Sequence, residues 1–161
     1  MPEAMGSTIR IMEAKNRPDC VMTRFVAPSE PVGRWRRYMD AYRHINEDPY
    51  LAELAPAMRP YAEKVPVAEK STYSAVDAPE VRAALAGKSA VVLTGVVADC
   101  CVLATMMDAI DLGYEVVYLY DCIGGMTAES EEQCKALAEV YAPVHTTVMT
   151  SEEYLAAIGA E

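Results

Sequence analysis

Histidine is scarce in this chain: His44 and His145 are the only two among 161 residues, and they lie far apart. The five cysteines, Cys20, Cys100, Cys101, Cys122 and Cys134, contain no CxxC pair. Neither set has the spacing of a zinc site, so no metal and no cofactor is expected. An odd cysteine number without paired spacing also argues against a disulfide framework and for a reducing, cytoplasmic setting. Basic residues are outnumbered, 14 Lys and Arg against 24 Asp and Glu, for a net charge of −10. That excess speaks against nucleic acid or an anionic membrane as partner. A small anionic substrate stays open, because it needs only one local Arg or Lys. No apolar run reaches the roughly 18 residues that span a bilayer. The N-terminal "MPEAMGSTIR" has no signal-peptide apolar core. Repeats and low-complexity tracts are absent, and no GxGxxG turn follows a strand, which leaves a dinucleotide-binding domain with little support. What remains is a chain that is 52% hydrophobic with a mean hydropathy of +0.04. Such a chain is soluble and globular, and its length fits a single domain, residues 1–161, with a core of its own.

The order of elements is legible from residue 65 onward. "VPVAEK" reads as a strand and "APEVRAALAG" as a helix. "SAVVLTGV" is a strand, "CVLATMMDAIDLG" a helix, "YEVVYLYDC" a strand, "TAESEEQCKALAEVYA" a helix, "VHTTVMT" a strand and "SEEYLAAIG" a last helix. Upstream, Ile9 to Lys15 reads as a short amphipathic helix stopped by Asn16, Arg17 and Pro18, and Cys20 to Val26 as a buried strand. An aromatic, arginine-rich segment to about Asn46 is helical, and Pro49, Pro56, Pro60 and Pro66 mark a loop. Alternating strands and helices with continuous apolar strands predict an α/β three-layer α/β/α sandwich on a mostly parallel, Rossmann-like sheet. Ligands of such sheets sit beyond the strands' carboxyl ends. Here those ends are Arg24 to Val26, Glu69 to Tyr73, Val96 to Cys101 and Asp121 to Gly125.

Two adjacent cysteines mark one of those ends, in "VVLTGVVADCCVLAT", Val91 to Thr105. A strand ends near Val97-Ala98 and a helix starts at about Asp99 or Cys100, with Asp99 suited to the N-cap. A thiol in that first turn meets unpaired backbone N–H groups and the positive end of the helix dipole, which favour the thiolate. The same N–H groups suit a developing oxyanion. Position does not decide between Cys100 and Cys101. Cys122, also at a strand end, is a weaker candidate, and Cys20 and Cys134 read as small apolar residues.

The stretch "LTGVVADCCVLATMMDAIDLGYEVVYLYDC" resembles the isochorismatase-like cysteine hydrolases. Their nucleophile turn runs Gly, two variable residues, Thr or a small residue, Asp or Asn, any residue, Cys, Val. Laid on this chain it implies Gly95, Ala98, Asp99, Cys101 as nucleophile, and Val102. "EKSTYSAV" is similar to the family's Lys-x-x-Tyr/Phe-Ser-x-Phe segment, which implies Lys70 as the catalytic lysine. "VMTRFVAP" and "GRWRRYM" resemble the second strand and lid-like segment of amidase-type members. The resemblance further implies an oxyanion hole of the Ala98 and Cys101 N–H groups and a non-proline cis peptide at Val97-Ala98.

The family's third catalytic group is an Asp at the end of its first strand, in an Asp-x-Gln-x-x-Phe-type segment. No such segment occurs here, and the sequence begins about where the family's first helix starts. The expectation is thus an N-terminally short member whose general base is unassigned: truncated, degenerate, or completed by a partner. The zinc-binding Asp-x-His segment of the nicotinamidase branch is also absent. The implied function is hydrolysis of a small amide or related C–N bond through a Cys101 thioester. Arg24, Trp35 and Tyr73 are candidates for the substrate pocket wall. The alternatives are an isochorismatase-type vinyl-ether hydrolase and a catalytically inactive homologue serving as a structural or binding subunit. The resemblance also implies a homo-oligomer, with "RWRRYMDAY" at its interface or over the pocket.

Overall fold

A computed structural model of the chain describes residues 2–14 and 19–160. The expected helix end at Lys15 and its stop, Asn16, Arg17 and Pro18, lie outside the described residues. Helix α1 spans Pro2–Glu13 and begins well before Ile9. Its inward stripe is Ala4, Ser7, Thr8, Ile11 and Met12, all buried. That spacing is one helical face. Two of its members are hydroxyl residues, so hydrophobic periodicity alone does not reveal the helix.

Strand β1 (Met22–Phe25) pairs in parallel with β2 (Val67–Lys70), and between them lie helices α2 (Trp35–Ala41) and α3 (Arg43–Asn46) and a 3-10 turn, Arg59–Tyr61. Helix α4 (Pro79–Leu85) leads to β3 (Ala90–Val96), α5 (Leu103–Asp111), β4 (Glu115–Gly124), α6 (Ala128–Tyr141), β5 (Thr146–Met149) and α7 (Ser151–Ala157). β4 is central, parallel to β3 on one side and to β5 on the other.

Alternation along β4 builds the three layers. Val116 and Tyr118 face a cluster with Leu85 of α4, Met106 and Ala109 of α5, and Cys134 and Ala138 of α6. Val117 and Leu119 face the other cluster, with Ile11 of α1 and Tyr154 of α7. Helices therefore cover both faces, as the apolar strands require. Thr127 and Thr150 begin α6 and α7 with capping boxes, closed by Ser130 and Glu153.

The sheet departs from expectation in one respect. Among the described residues the strands form two sheets instead of one, β1-β2 and β3-β4-β5. β3 pairs only with β4 among the described strands, so Val91 and Val92 are half-buried, not buried as a continuous apolar run predicts. Val96, at its carboxyl end, is 52% exposed. Near that end the β3-β4 register shifts: Leu93 faces Tyr118, while Gly95 faces Ile123. The shift falls where Gly95 takes a φ of +105°, open to glycine and strained for other residues.

Candidate active site

The turn after β3 is a π-helical turn, Ala98–Val102, entered from an extended Val97. The Val97 carbonyl accepts from the N–H groups of Cys100 (3.1 Å) and Val102 (3.2 Å), and the second of these sets the wide pitch. Such turns recur at functional sites. Ala98 and Val102 anchor the turn in the core, which leaves Cys100 and Cys101 half-buried. Behind it, Thr105 Oγ1 donates to the Cys101 carbonyl (2.7 Å) and accepts from the Ala75 N–H (3.1 Å). Thr105 thus ties the cysteine turn to the segment that follows β2. Its place four residues after Cys101, where a Thr hydroxyl can reach back to the preceding turn, was the available signal.

β2 delivers Lys70 to the same point. Its side chain is 9% exposed, and a buried ammonium needs partners. Nζ donates to the carbonyls of Thr72 (2.9 Å) and Tyr73 (2.6 Å) and to Cys101 Sγ (3.2 Å). An ammonium has three N–H donors, and these three acceptors use them all. Nζ also sits 5.9 Å from the centroid of Phe25, its cross-strand neighbour on β1.

The two adjacent thiols differ in surroundings. Cys101 has the Lys70 ammonium. Burial, then the charge of Asp99, pushes the Cys100 thiol up, against a smaller lowering by a hydrogen bond with the Tyr73 phenol. Cys122 is fully buried, and burial pushes it up to about 12. Burial also raises Cys134. Lys70 thus donates to the sulfur of Cys101, whereas burial opposes charge on Cys100, Cys122 and Cys134.

Four aromatic rings stand beside the cysteine turn. Trp35 meets Tyr73 edge-on at 4.9 Å and stacks on Phe25 at 6.1 Å. Tyr38 meets Trp35 at 5.2 Å and Tyr73 at 6.0 Å. Burial raises the Tyr38 phenol, and its ring contact sets it beside Tyr73, whose phenol is hydrogen-bonded with Cys100. The arginine-rich helix α2 therefore lies over this site. Phe25 and Tyr38 are the residues that sequence reasoning missed. Tyr38 stands one helical turn after Trp35, and Phe25 sits beside Arg24 at a strand end.

Cys101, Lys70, Trp35 and Tyr73 are thus brought together, and Arg24 is not. Arg24 pairs across the sheet with Glu69, one position out of phase with Phe25 and Lys70, so its side chain lies on the opposite face. There it is held by Glu53 and Glu69 and lines a separate cleft with Leu54, Val67, Pro79 and Glu80. Two further expectations shift. The cis peptide is Val96-Val97, one bond earlier than Val97-Ala98, so Val97 and not Ala98 follows it. Asp99 is not the N-cap, because the turn begins at Ala98. Its carboxylate reaches α6 instead, accepting from Ser130 Oγ (3.2 Å) and the Met126 N–H (3.4 Å).

Among the described residues no group of His, Cys, Asp and Glu could hold a metal ion, and no helix is long and apolar enough to cross a membrane. No curated protein sequence matches the chain. Solved structures do. An isochorismatase-like hydrolase from Alkaliphilus metalliredigens is 22% identical over 98% of this chain and 82% of its own, with a TM-score of 0.70. A cysteine hydrolase from Pseudomonas syringae pv. phaseolicola 1448A is 17% identical over 98% and 81%, with a TM-score of 0.77. N-carbamoylsarcosine amidase from Thermoplasma acidophilum is 23% identical over 93% and 83%, with a TM-score of 0.70. These similarities establish the α/β fold. The isochorismatase domain profile matches residues 5–153, nearly the whole chain, and the protein belongs to the isochorismatase-like hydrolase family.

Proposed function

We propose that the chain hydrolyses a small amide, or a related C–N bond, through a thioester on Cys101. The observation that carries this reading is the 3.2 Å contact of Lys70 Nζ with Cys101 Sγ at a strand-to-helix turn. A sulfur hydrogen-bonded by an ammonium is stabilised as a thiolate. The thiolate attacks the amide carbon, and the carbonyl electron pair moves to oxygen. The N–H groups of Ala98 and Cys101 are proposed to hold that oxygen. The carbonyl of Val97 is taken by Cys100 and Val102, so neither proposed donor is spent on it.

Among the described residues Lys70 is the cationic group hydrogen-bonded to the thiol, so proton handling is assigned to it. Collapse of the tetrahedral intermediate breaks the C–N bond, and the leaving amine takes a proton from the Lys70 ammonium. Water then attacks the thioester and gives a proton to the Lys70 amine. Breaking the C–S bond releases the acid and restores thiolate and ammonium.

Intact-protein mass measurement during turnover of a panel of amides tests the reading. The expected result is an acyl adduct on Cys101 together with released ammonia or amine, both lost in Cys101→Ala. A vinyl-ether hydrolase would release neither and carry no acyl mass. A binding subunit would turn over nothing.

A further inference from the structure

Charge is scarce where the acyl group would sit. All three N–H donors of Lys70 are engaged, by two carbonyls and Cys101. Arg24 lies on the other face of its strand between Glu53 and Glu69. Lys88 is paired with Asp19, Arg82 with Asp77 and Arg43 with Asp40. Arg34, Arg36 and Arg37 of the α2 region are exposed, while Trp35 and Tyr38 of the same helix turn toward Phe25 and Tyr73. The wall beside Cys101 is therefore made of aromatic rings. Burial keeps its two phenols protonated, with Tyr73 pushed up to about 12 and Tyr38 raised.

From this arrangement we infer that the site accepts acyl groups that are flat and uncharged, aromatic or conjugated, and rejects those carrying a carboxylate. The inference rests on Cys101 being the residue that receives the acyl group. A carboxylate brought against this wall leaves water, and Lys70, the cation that the described residues place against Cys101, has no donor to spare. A flat ring loses little on leaving water and gains offset or edge contacts with Trp35 and Tyr38. A site that leaves a buried polar group unpaired discriminates more strongly than one that merely leaves a gap.

Aldehydes make the test independent of turnover. A thiolate adds reversibly to an aldehyde carbon and forms a hemithioacetal, whose oxygen takes a proton from solvent or Lys70, so the aldehyde's substituent stands for the acyl group. Benzaldehyde and 4-carboxybenzaldehyde are compared for their ability to protect Cys101 from iodoacetamide, read by peptide mass. Benzaldehyde is expected to protect at a concentration at least about tenfold lower than its carboxylated counterpart. Trp35→Ala and Tyr38→Ala should each weaken protection by benzaldehyde by about threefold to tenfold, and protection by the carboxylated probe much less. Equal or tighter binding of the carboxylated probe overturns the inference, as does failure of both probes to protect a Cys101 that iodoacetamide labels readily. If Cys101 itself reacts no faster than Cys100 or Cys134, the nucleophile assignment falls instead. The comparison of the two probes on the unaltered chain stands whether or not either variant folds.

Discussion

Lys70 Nζ stands 3.2 Å from Cys101 Sγ, a contact that joins the end of one two-stranded sheet to the turn following the first strand of another. The same nitrogen holds the carbonyls of Thr72 and Tyr73, so one buried ammonium organises both the sulfur and the segment after β2. Lys70→Met removes all three bonds while keeping the aliphatic volume. Alkylation of Cys101 by iodoacetamide is expected to slow by about tenfold or more as the thiolate loses its counter-charge. Leaving the two carbonyls without donors should cost about 1–3 kcal/mol in urea unfolding. Lys70→Arg should restore little of the rate, since a planar fork cannot reproduce three converging donors. An unchanged alkylation rate in Lys70→Met would remove Lys70 from the chemistry.

The contrast between the two adjacent thiols gives a pH-dependent result. Burial and Asp99 raise Cys100 above its ordinary value, so its reactive thiolate fraction is small at neutral pH. Labelling near pH 7 should fall on Cys101, with Cys100, Cys122 and Cys134 spared. Labelling of Cys100 should rise with pH only above the range of an ordinary thiol. In Asp99→Asn that rise should move to lower pH, because the neighbouring negative charge is gone. Equal labelling of Cys100 and Cys101 at neutral pH would contradict the assignment of roles.

Much of this arrangement was legible from residue types and order, and the failures have physical causes. Apolar strands alternating with helices foretold the layers, because β4 must send Val116 and Tyr118 one way and Val117 and Leu119 the other. The extent of α1 was not legible, since Ser7 and Thr8 fill its inward face and find partners there: Thr8 Oγ1 donates across to the Cys122 carbonyl of β4, and Ser7 Oγ accepts from Arg10. Arg24 was misplaced because the face of a strand residue depends on register. Only the pairing of Phe25 with Lys70 shows that Arg24 points away. The separation into two sheets is likewise a matter of long-range pairing, which an apolar run such as Ala90–Val96 does not encode. The choice of Cys101 over Cys100 came from resemblance; in the structure Lys70 Nζ meets the Cys101 sulfur, while burial and Asp99 raise Cys100.

Alkaline pH should destabilise the fold by a defined route. Cys122 is pushed up to about 12 by burial from an ordinary value of 9.0, and Tyr73 to about 12 from 10.0. Both folded-state values lie above the unfolded ones, so this contribution is fully present below about pH 9 and lost as pH rises toward the folded values. In that window the unfolded chain releases protons that the folded chain retains, and unfolding becomes more favourable. The urea midpoint should therefore fall between about pH 8 and about pH 10.5. Cys122→Ala should start from a lower midpoint, because its thiol is packed in the core, but fall less over the same interval. A midpoint that does not move with pH in the unaltered chain would show that neither group is held protonated.

Two glycines flank the site and resist substitution for opposite reasons, which makes them a matched test of the turn's construction. At Gly95 an added Cβ meets nothing within 4 Å, but the φ of +105° disfavours any L side chain. At Gly125 the Cβ would lie 2.6 Å from Ser130 Oγ, 2.8 Å from Glu131 Cγ and 3.1 Å from the Glu131 nitrogen. That backbone belongs to the first turn of α6, whose Ser130 hydroxyl donates to Asp99 on the cysteine turn. Gly95→Ala should cost about 1–3 kcal/mol through backbone strain, and Gly95→Ser about the same, because the space is open. Gly125→Ala should cost about 1–3 kcal/mol through overpacking, and Gly125→Ser more, because the larger side chain deepens the clash. Urea unfolding of the four variants reads the difference. A size dependence at Gly95, or its absence at Gly125, would mean that the β3 turn and the start of α6 are not built as described. Because α6 grips Asp99, Gly125→Ala should also change the alkylation rate of Cys100 next to it.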